Sequence, residues 1–331
     1  MRSSRFSAAL LGWYEHNRRD LPWRHTRDPY RILVSEIMLQ QTRAEVVIPY
    51  YQRFLERFPD AATLAQAKQA DVLACWSGLG YYSRARNLQA AARAITASGG
   101  FPRDYHSLRA LPGVGPYTAA AVSSIAFDQP CAVLDGNVLR VIARITNDGS
   151  DIALARTRAQ FQRVADGLLA PECPGDFNQA MMELGATICL PRAPGCTSCP
   201  VARFCEACKA GTQGELPVKS GKLQPQTIRA EVVIVEKDSK ILLHRRAARE
   251  RRMAGFWDLP QPAELNGLHS VVTLGSFRHT ITHHHYTLNV LAGAVPHIPR
   301  GFRWWRLDRM QDIPLSTIAR KAIRLRHPRT N

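Results

Sequence analysis

Apolar residues recur at helical spacing through most of the first 205 positions of this chain. The Ala-rich segments Phe6–His16, Tyr30–Gln41, Ala61–Trp76 and Ser83–Thr96 are separated by Pro, Gly and Asp, which predicts a nearly all-helical region. A cysteine-rich stretch at 189–208 ends it. Residues 211–226 are polar, rich in Gly, Lys, Pro and Gln, and without period, as expected of a linker. Beyond them the pattern favours strands at Arg229–Val235, Ile241–Leu243, Tyr286–Val290 and Phe302–Leu307. A closing helix is predicted over Ile313–Arg326, with Pro314 and Ser316 near its start. The expectation is therefore two domains, mainly α over 1–210 and α+β over 227–331, which suits a length of 331 residues.

Charge changes the picture. The composition, 45% hydrophobic and 21% charged, is that of a soluble globular protein, but the formal net charge of +17 exceeds what solubility requires. A polyanionic partner is expected. Residues 220–331 carry 19 Lys and Arg against 8 Asp and Glu, and both domains are net basic. No run of 18 apolar residues, basic amphipathic anchor or lipidation motif points to a membrane. The short apolar run before Glu15 and His16 does not read as a signal peptide, so reduced thiols and a cytoplasmic location are expected.

Of the eight cysteines, Cys189, Cys196, Cys199 and Cys205 form C-x6-C-x2-C-x5-C. Four soft thiolates on a short loop suit zinc or a [4Fe–4S] cluster. Cys205 and Cys208 make a second C-x2-C, so a zinc site of Cys196, Cys199, Cys205 and Cys208 is an alternative. Cys75, Cys131 and Cys173 lie apart and read as buried thiols.

Leu111-Pro-Gly-Val-Gly115 joins two helical segments, the second beginning at Pro116. Glycines at 113 and 115 permit a tight turn that presents backbone N–H groups at a helix N-terminus, a natural seat for a DNA phosphate. Alone, the motif fits an ordinary helix connection equally well. Asp135 precedes a helix with apolar Val138, Val141, Ile142 and Ile145, and reads as an N-cap whose capping bonds favour the ionised carboxylate. Glu36, Gln40 and Arg43 share one helix face. A lone Glu on a helix is ordinarily solvated; burial among its apolar neighbours Ile32, Leu33, Ile37 and Leu39 is the alternative, and would raise its pKa.

In order along the chain stand Leu21-Pro-Trp-Arg24, Ser35-Glu-Ile-Met-Leu-Gln-Gln-Thr42, Gly78-Leu-Gly-Tyr-Tyr82, the hairpin, Leu134-Asp-Gly-Asn137, Phe177-Asn-Gln-Ala180 and the cysteine spacing. Together they resemble the adenine DNA glycosylases of the MutY family, within the endonuclease III superfamily, over nearly the whole chain. The resemblance implies a helix-hairpin-helix glycosylase region with an iron–sulfur loop at 189–205, a linker at 211–226 and a MutT-like (Nudix-fold) domain at 227–331. It implies a monomeric base-excision enzyme that removes adenine mispaired with 8-oxoguanine or guanine in double-stranded DNA.

Carried over residue by residue, the match makes Glu36 the proton donor to adenine and Asp135 the stabiliser of the cationic sugar. Tyr117 and Asn137 orient these groups and the incoming water. Tyr117 stands where endonuclease III-like enzymes carry a Schiff-base lysine, which implies a glycosylase without lyase activity. Trp23, Arg24, Leu39 and Glu183 match the pocket for the extruded base, needed because the reacting bond is unreachable within the stack. Gln41, Thr42, Leu79 and Tyr81 match the elements that fill the gap and contact the opposite base. The four cysteines of the first set would hold [4Fe–4S], leaving Cys208 a bystander.

Phe277-Arg-His-Thr280 matches the family's loop that inspects 8-oxoguanine through Arg278 and His279, although Arg278 differs from members with serine there. Residues 255–275 contain only Asp258 and Glu264, too few acids for a metal-binding Nudix helix. The run His283–His285 reads as a solvated strand or loop, because adjacent strand residues alternate faces. Three rival readings are weaker. Tyr117 and the second domain oppose a bifunctional lyase; the joint presence of Glu36, Asp135, Tyr117 and Asn137 opposes a non-catalytic iron–sulfur protein; the acid-poor segment opposes a Nudix hydrolase.

Overall fold

The computed structural model describes residues 2–221, 226–247, 253–281 and 284–328. Packing divides the chain into two units, Met1–Ala65 with Ala90–Lys222, and Gln66–Gln89 with Leu223–Asn331. The second unit thus takes in a segment from the middle of the helical region as well as Leu223–Asn331.

Among the described residues the helices are α1 (Arg2–Asn17), α2 (Pro29–Leu39), α3 (Ala44–Arg57), α4 (Ala61–Gln66), α5 (Gln69–Trp76), α6 (Ser83–Ala97), α7 (Tyr105–Arg109), α8 (Pro116–Phe127), α9 (Gly136–Thr146), α10 (Ala155–Leu168), α11 (Pro174–Thr187), α12 (Glu206–Ala210) and α13 (Thr317–Arg326). None is long and apolar enough to cross a membrane. The first unit is built around α2, α8, α9 and α11. Asp28 caps α2 by accepting from the Arg31 N–H at 2.9 Å, and Pro29 sets its first turn. Helix α8 is buried from Thr118 to Ile125, which its run of small and apolar residues allows. Gly175 lets α11 approach α8, since a Cβ there would meet the Ser124 carbonyl oxygen at 2.8 Å.

The second unit holds a mixed sheet of β1 (Gln226–Lys237), β2 (Lys240–Arg245), β3 (Trp257–Asp258), β4 (His269–Ile281), β5 (His284–Ala294) and β6 (Phe302–Arg306). Its order is β3-β2-β1-β5-β4, with β6 also paired to β2. Strands β1 and β5 are parallel, from Gln226 opposite His284 to Val235 opposite Gly293; the other pairs are antiparallel. Asp238 and Ser239, both with positive φ, make the β1–β2 hairpin turn. Both faces of β1 are covered: Val232 and Ile234 join a core with Leu243, Trp257, Ala319 and Ile323, and Val233 and Val235 join Leu242 and Leu265.

Three differences from the sequence reading have local causes. The predicted helix Ala61–Trp76 is two helices, because Lys68 is extended (φ −67°, ψ 135°) and the Gln89 amide holds the Ala67 carbonyl at 2.7 Å. The closing helix begins at Thr317 and not Ile313, because Pro314 and Ser316 bond Trp257 as a strand would. Strand β4 escaped the pattern: most of it is exposed or half-buried at the sheet edge, which leaves no apolar alternation to read.

Candidate active site

A cavity of about 870 Å³ in the first unit is lined by residues from α2, α8, α11 and the start of α9. Glu36, Tyr117, Asp135 and Asn137 all face it, together with Trp23, Arg24, Leu39, Gln41, Thr42 and Glu183. The hairpin places Tyr117 there. Gly113 takes a positive φ of 75°, Gly115 caps α8 and Pro116 opens it, so Tyr117 stands in the first turn.

Glu36 is 4% exposed, and burial pushes its pKa up to about 7. The Tyr117 hydroxyl donates to Glu36 Oε2 at 2.6 Å, which opposes the rise, and the neighbouring Asp135 reinforces it. Burial and the adjacent Glu36 carboxylate hold the Tyr117 phenol well above its usual range, so it remains a donor. Asp135 accepts from the Val138 N–H at 2.7 Å as the α9 cap and from the Asn137 amide at 3.1 Å. These bonds lower its pKa as the capping argument expects, but burial outweighs them and the net shift is upward.

Glu183 shows the opposite balance. Burial disfavours its charge, yet Arg19 and Arg24 outweigh that and bring its pKa down to about 2. Arg19 donates through Nε at 2.9 Å to Oε1 and through Nη2 at 2.9 Å to Oε2, and Arg24 adds Nη2 at 2.7 Å to Oε2. One cavity therefore holds a carboxyl that carries a proton near neutrality and another fixed as an anion, the separation that acid catalysis requires. Sequence reasoning missed Arg19, which stands in an unremarked Arg18-Arg19 pair after α1. It also missed Met182, whose sulfur lies 3.0 Å from the Tyr117 hydroxyl.

A second cavity of about 30 Å³ is lined by Cys189, Cys196, Cys199, Cys205 and also Cys208. Among the described residues no group of three or more His, Cys, Asp or Glu is arranged to hold a metal ion. The donor set nevertheless suits a thiolate-bound cluster: five sulfurs border one void, and cationic or amide donors face them. Arg144 Nη1 donates to Cys189 Sγ at 3.2 Å, and backbone N–H groups of Val201 and Ala207 serve Cys199 and Cys205. Cys208 hydrogen-bonds Cys196.

Helix α9 joins the two cavities. From one guanidinium Arg140 donates to Asn137 Oδ1 at 2.9 Å, to the Cys189 carbonyl at 2.7 Å and to the Gly185 carbonyl at 2.7 Å. One turn on, Arg144 is 1% exposed and also holds the Leu190 carbonyl at 2.7 Å. Two arginines at i, i+4 on the buried side of an apolar helix are the sequence signal for this link.

The remaining sequence-predicted residues lie in the second unit. Leu79 is buried, whereas Tyr81 is 43% exposed with a positive φ of 50°. Gln41, in the first unit, has a positive φ of 57° as well, so two of the gap-filling candidates are held in backbone conformations that side chains rarely adopt. Phe277–Thr280 is not a loop: it lies in β4, paired with β5 from Leu288 to His285. Arg278 is exposed and the adjacent His279 half-buried, as alternation along a strand demands. Asp258 is engaged by Arg246 at 3.1 Å, Ser316 at 2.7 Å and the Leu259 N–H at 3.0 Å. His284 and His285 open β5, and His283 lies outside the described residues.

Comparison with known proteins gives the family. Residues 34–165 match the HhH-GPD superfamily of base excision DNA repair proteins, and residues 230–325 match the NUDIX domain. The adenine DNA glycosylase of Buchnera aphidicola subsp. Acyrthosiphon pisum is 30% identical over 341 aligned residues, covering 96% of each chain. The chain belongs to the adenine DNA glycosylase family. The mouse (Mus musculus) enzyme is 45% identical over 228 residues, 66% of this chain and 44% of its own. This chain spans less than half the length of the mammalian relatives it matches. A solved thermostable thymine-DNA glycosylase superposes with a TM-score of 0.58 at 33% identity, over 63% of this chain and 97% of its own.

Proposed function

We propose that this chain is a monofunctional adenine DNA glycosylase that hydrolyses the N-glycosidic bond of adenine paired with 8-oxoguanine or guanine in double-stranded DNA. The observation that carries the reading is the buried Glu36, with a pKa of about 7, facing the same cavity as Asp135. Glu36 delivers its proton to N7 of the extruded adenine as the bond to C1′ breaks, and the bonding pair leaves with the base. A positioned acid is worth ~10²–10⁴-fold in rate. Asp135 faces the cationic sugar, a two-carboxylate division of labour like that of glycoside hydrolases. Asn137 and Tyr117 hold the two carboxyl groups, and water completes the reaction at C1′ and releases a proton. Trp23, Leu39, Arg24 and the anionic Glu183 wall the base site.

Tyr117 offers no amine, so no Schiff base forms and the strand stays intact. Backbone N–H groups at Gly113 and Gly115 would hold a phosphate. Gln41, Thr42, Leu79 and Tyr81 would fill the gap in the duplex, His279 would read the opposite base, and Arg278, on the other face of β4, would contact a phosphate beside it. Cys189, Cys196, Cys199 and Cys205 would hold a [4Fe–4S] cluster, which when bound cross-links their loop through four iron–thiolate bonds. The hydrogen bonds that engage Asp258 support a non-hydrolytic NUDIX domain. We read the enzyme as a monomer acting on DNA in the cytoplasm.

The test is incubation with duplexes holding adenine opposite 8-oxoguanine, with and without alkali. Strand breaks only after alkali are expected. Breaks without alkali would show a lyase, and no breaks in either arm would overturn the reading.

A further inference from the structure

Residues Gln66–Gln89, which carry Tyr81, pack within the unit that contains the NUDIX domain, and the contacts are specific. Tyr82 lays its ring against the fully buried Phe256 with centroids 4.0 Å apart. The Tyr82 hydroxyl accepts from the Gly78 N–H at 3.3 Å and pairs with Thr317 Oγ1 at 3.5 Å. Ser77 Oγ accepts from Arg320 Nη2 at 2.7 Å and donates to the Leu315 carbonyl at 3.3 Å. Arg86 reaches the Ala254 carbonyl. From the helical side Arg84 holds the Gly80 carbonyl at 3.1 Å and lies over the Tyr81 ring at 5.4 Å.

The turn so gripped is left-handed at three positions: Gly78 and Gly80, at φ 104° and 78°, adopt this without cost, whereas Tyr81, at 50°, is strained. A side-chain-bearing residue stays in that region only where its surroundings over-determine it. Here the residues on either side of Tyr81 are fixed by Phe256, Thr317 and Arg320.

We propose that Arg320 and Phe256 are positioning residues for Tyr81: the NUDIX portion holds the turn that presents this ring to the duplex, in addition to any contact of its own with a base. The inference rests on the proposed glycosylase reading for Tyr81's role. It separates two functions of the domain. Holding the turn assists excision opposite guanine and 8-oxoguanine alike, whereas base reading discriminates between them.

The test is a double-mutant cycle in the full chain, with Tyr81→Ala, Arg320→Gln and the pair. It reads single-turnover adenine excision and the fluorescence rise of 2-aminopurine at the target position. Arg320→Gln is expected to slow both on the order of tenfold without lowering the melting midpoint, and Arg320→Lys to recover part of the loss. The pair should be no slower than Tyr81→Ala alone, because both changes remove one function. Multiplied losses in the pair, or wild-type rates in Arg320→Gln, overturn the proposal. Phe256→Leu, which removes the ring from a fully buried site, serves as the second variant: it should slow both readouts as Arg320→Gln does, and its melting midpoint, which the lost core volume lowers, is measured beside the rates.

Amide exchange at Gly78 and Leu79, measured without DNA, should quicken in both variants; unchanged exchange overturns the positioning role. A wild-type chain that releases no adenine sinks the glycosylase reading instead, and leaves the exchange result to decide whether the turn is held.

Discussion

A Cβ added to Gly185 would lie 2.7 Å from the Cβ of Asn137 and 3.2 Å from its Cα. Helix α11 therefore touches α9 at the residue that bonds Asp135, and glycine is what permits the approach. Gly185→Ala must displace Asn137, whose amide bonds the Asp135 carboxylate. Overpacking of this kind typically costs ~1–3 kcal/mol of stability. Excision should fall by more than the change in folded fraction explains, on the order of 10²-fold for a displacement near 1 Å. A variant that melts lower but excises at the wild-type single-turnover rate would show that Asn137 has no part in placing Asp135.

Glu36 yields a prediction with a defined sign. Its folded pKa of about 7 lies above the usual carboxyl value, so the proton is bound more tightly in the folded chain. Stability is therefore greatest below the unfolded pKa near ~4.3 and is lost as pH rises to about 7. Glu36→Gln removes that cost while keeping the shape. At pH 8 it should be more stable than wild type, by up to roughly 3 kcal/mol, with the gain shrinking toward pH 5. Excision should be abolished with DNA binding largely kept. In the wild type the single-turnover rate should decline as pH rises through 7. A rate that climbs through that range excludes Glu36 as the acid.

Tyr117→Lys places an amine in the first turn of α8, at the edge of the cavity that Glu36 and Asp135 share. Borohydride should then trap a covalent enzyme–DNA adduct, which the wild type does not give. A folded, DNA-binding variant with no adduct would mean that position 117 does not reach C1′.

Anaerobically purified protein should be yellow-brown, with iron and acid-labile sulfide. Cys196→Ala should lower both and weaken DNA binding. Cys208→Ala should leave the metal content unchanged, although Cys208 borders the same void and bonds Cys196. Stoichiometric zinc without iron would return the alternative set Cys196, Cys199, Cys205 and Cys208.

The sequence was most legible where a motif and a local structural rule coincide. The Pro116 start of α8, the Asp135 cap of α9 and the turn at Gly113 are each dictated by neighbours within three or four residues. Long-range relationships were not legible. Nothing local shows that Arg19 must reach Glu183, 164 residues away. Arg140 and Arg144 at i, i+4 on the buried side of α9 mark a link, but not that Arg140 bonds both Asn137 and Cys189. Nor does any pattern reveal that Gln66–Gln89 packs with the second unit, since its helices read like their neighbours. Strand β4 was invisible because an edge strand with polar exposure has no buried period.

The placement of Arg278 and His279 in β4 divides what the family motif treats as one element. Neighbours on a strand face opposite ways, so the two side chains do not read one base edge together. His279 is half-buried, and burial together with Lys321 lowers its pKa, so near neutrality it is an uncharged imidazole with one donor and one acceptor. That suits reading a base. Arg278 is exposed and always charged, which suits a phosphate. Deleting the domain would blur the two roles, because it would also remove the residues that Gln66–Gln89 packs against. Point substitutions in the full chain separate them. Arg278→Ala should weaken binding to every duplex and make the salt dependence shallower by about one counterion, with little change in the ratio of excision opposite 8-oxoguanine to that opposite guanine. His279→Ala should lower that ratio, with the salt slope unchanged. Equal loss opposite both bases in His279→Ala would leave β4 a basic contact with no part in recognising the oxidised base.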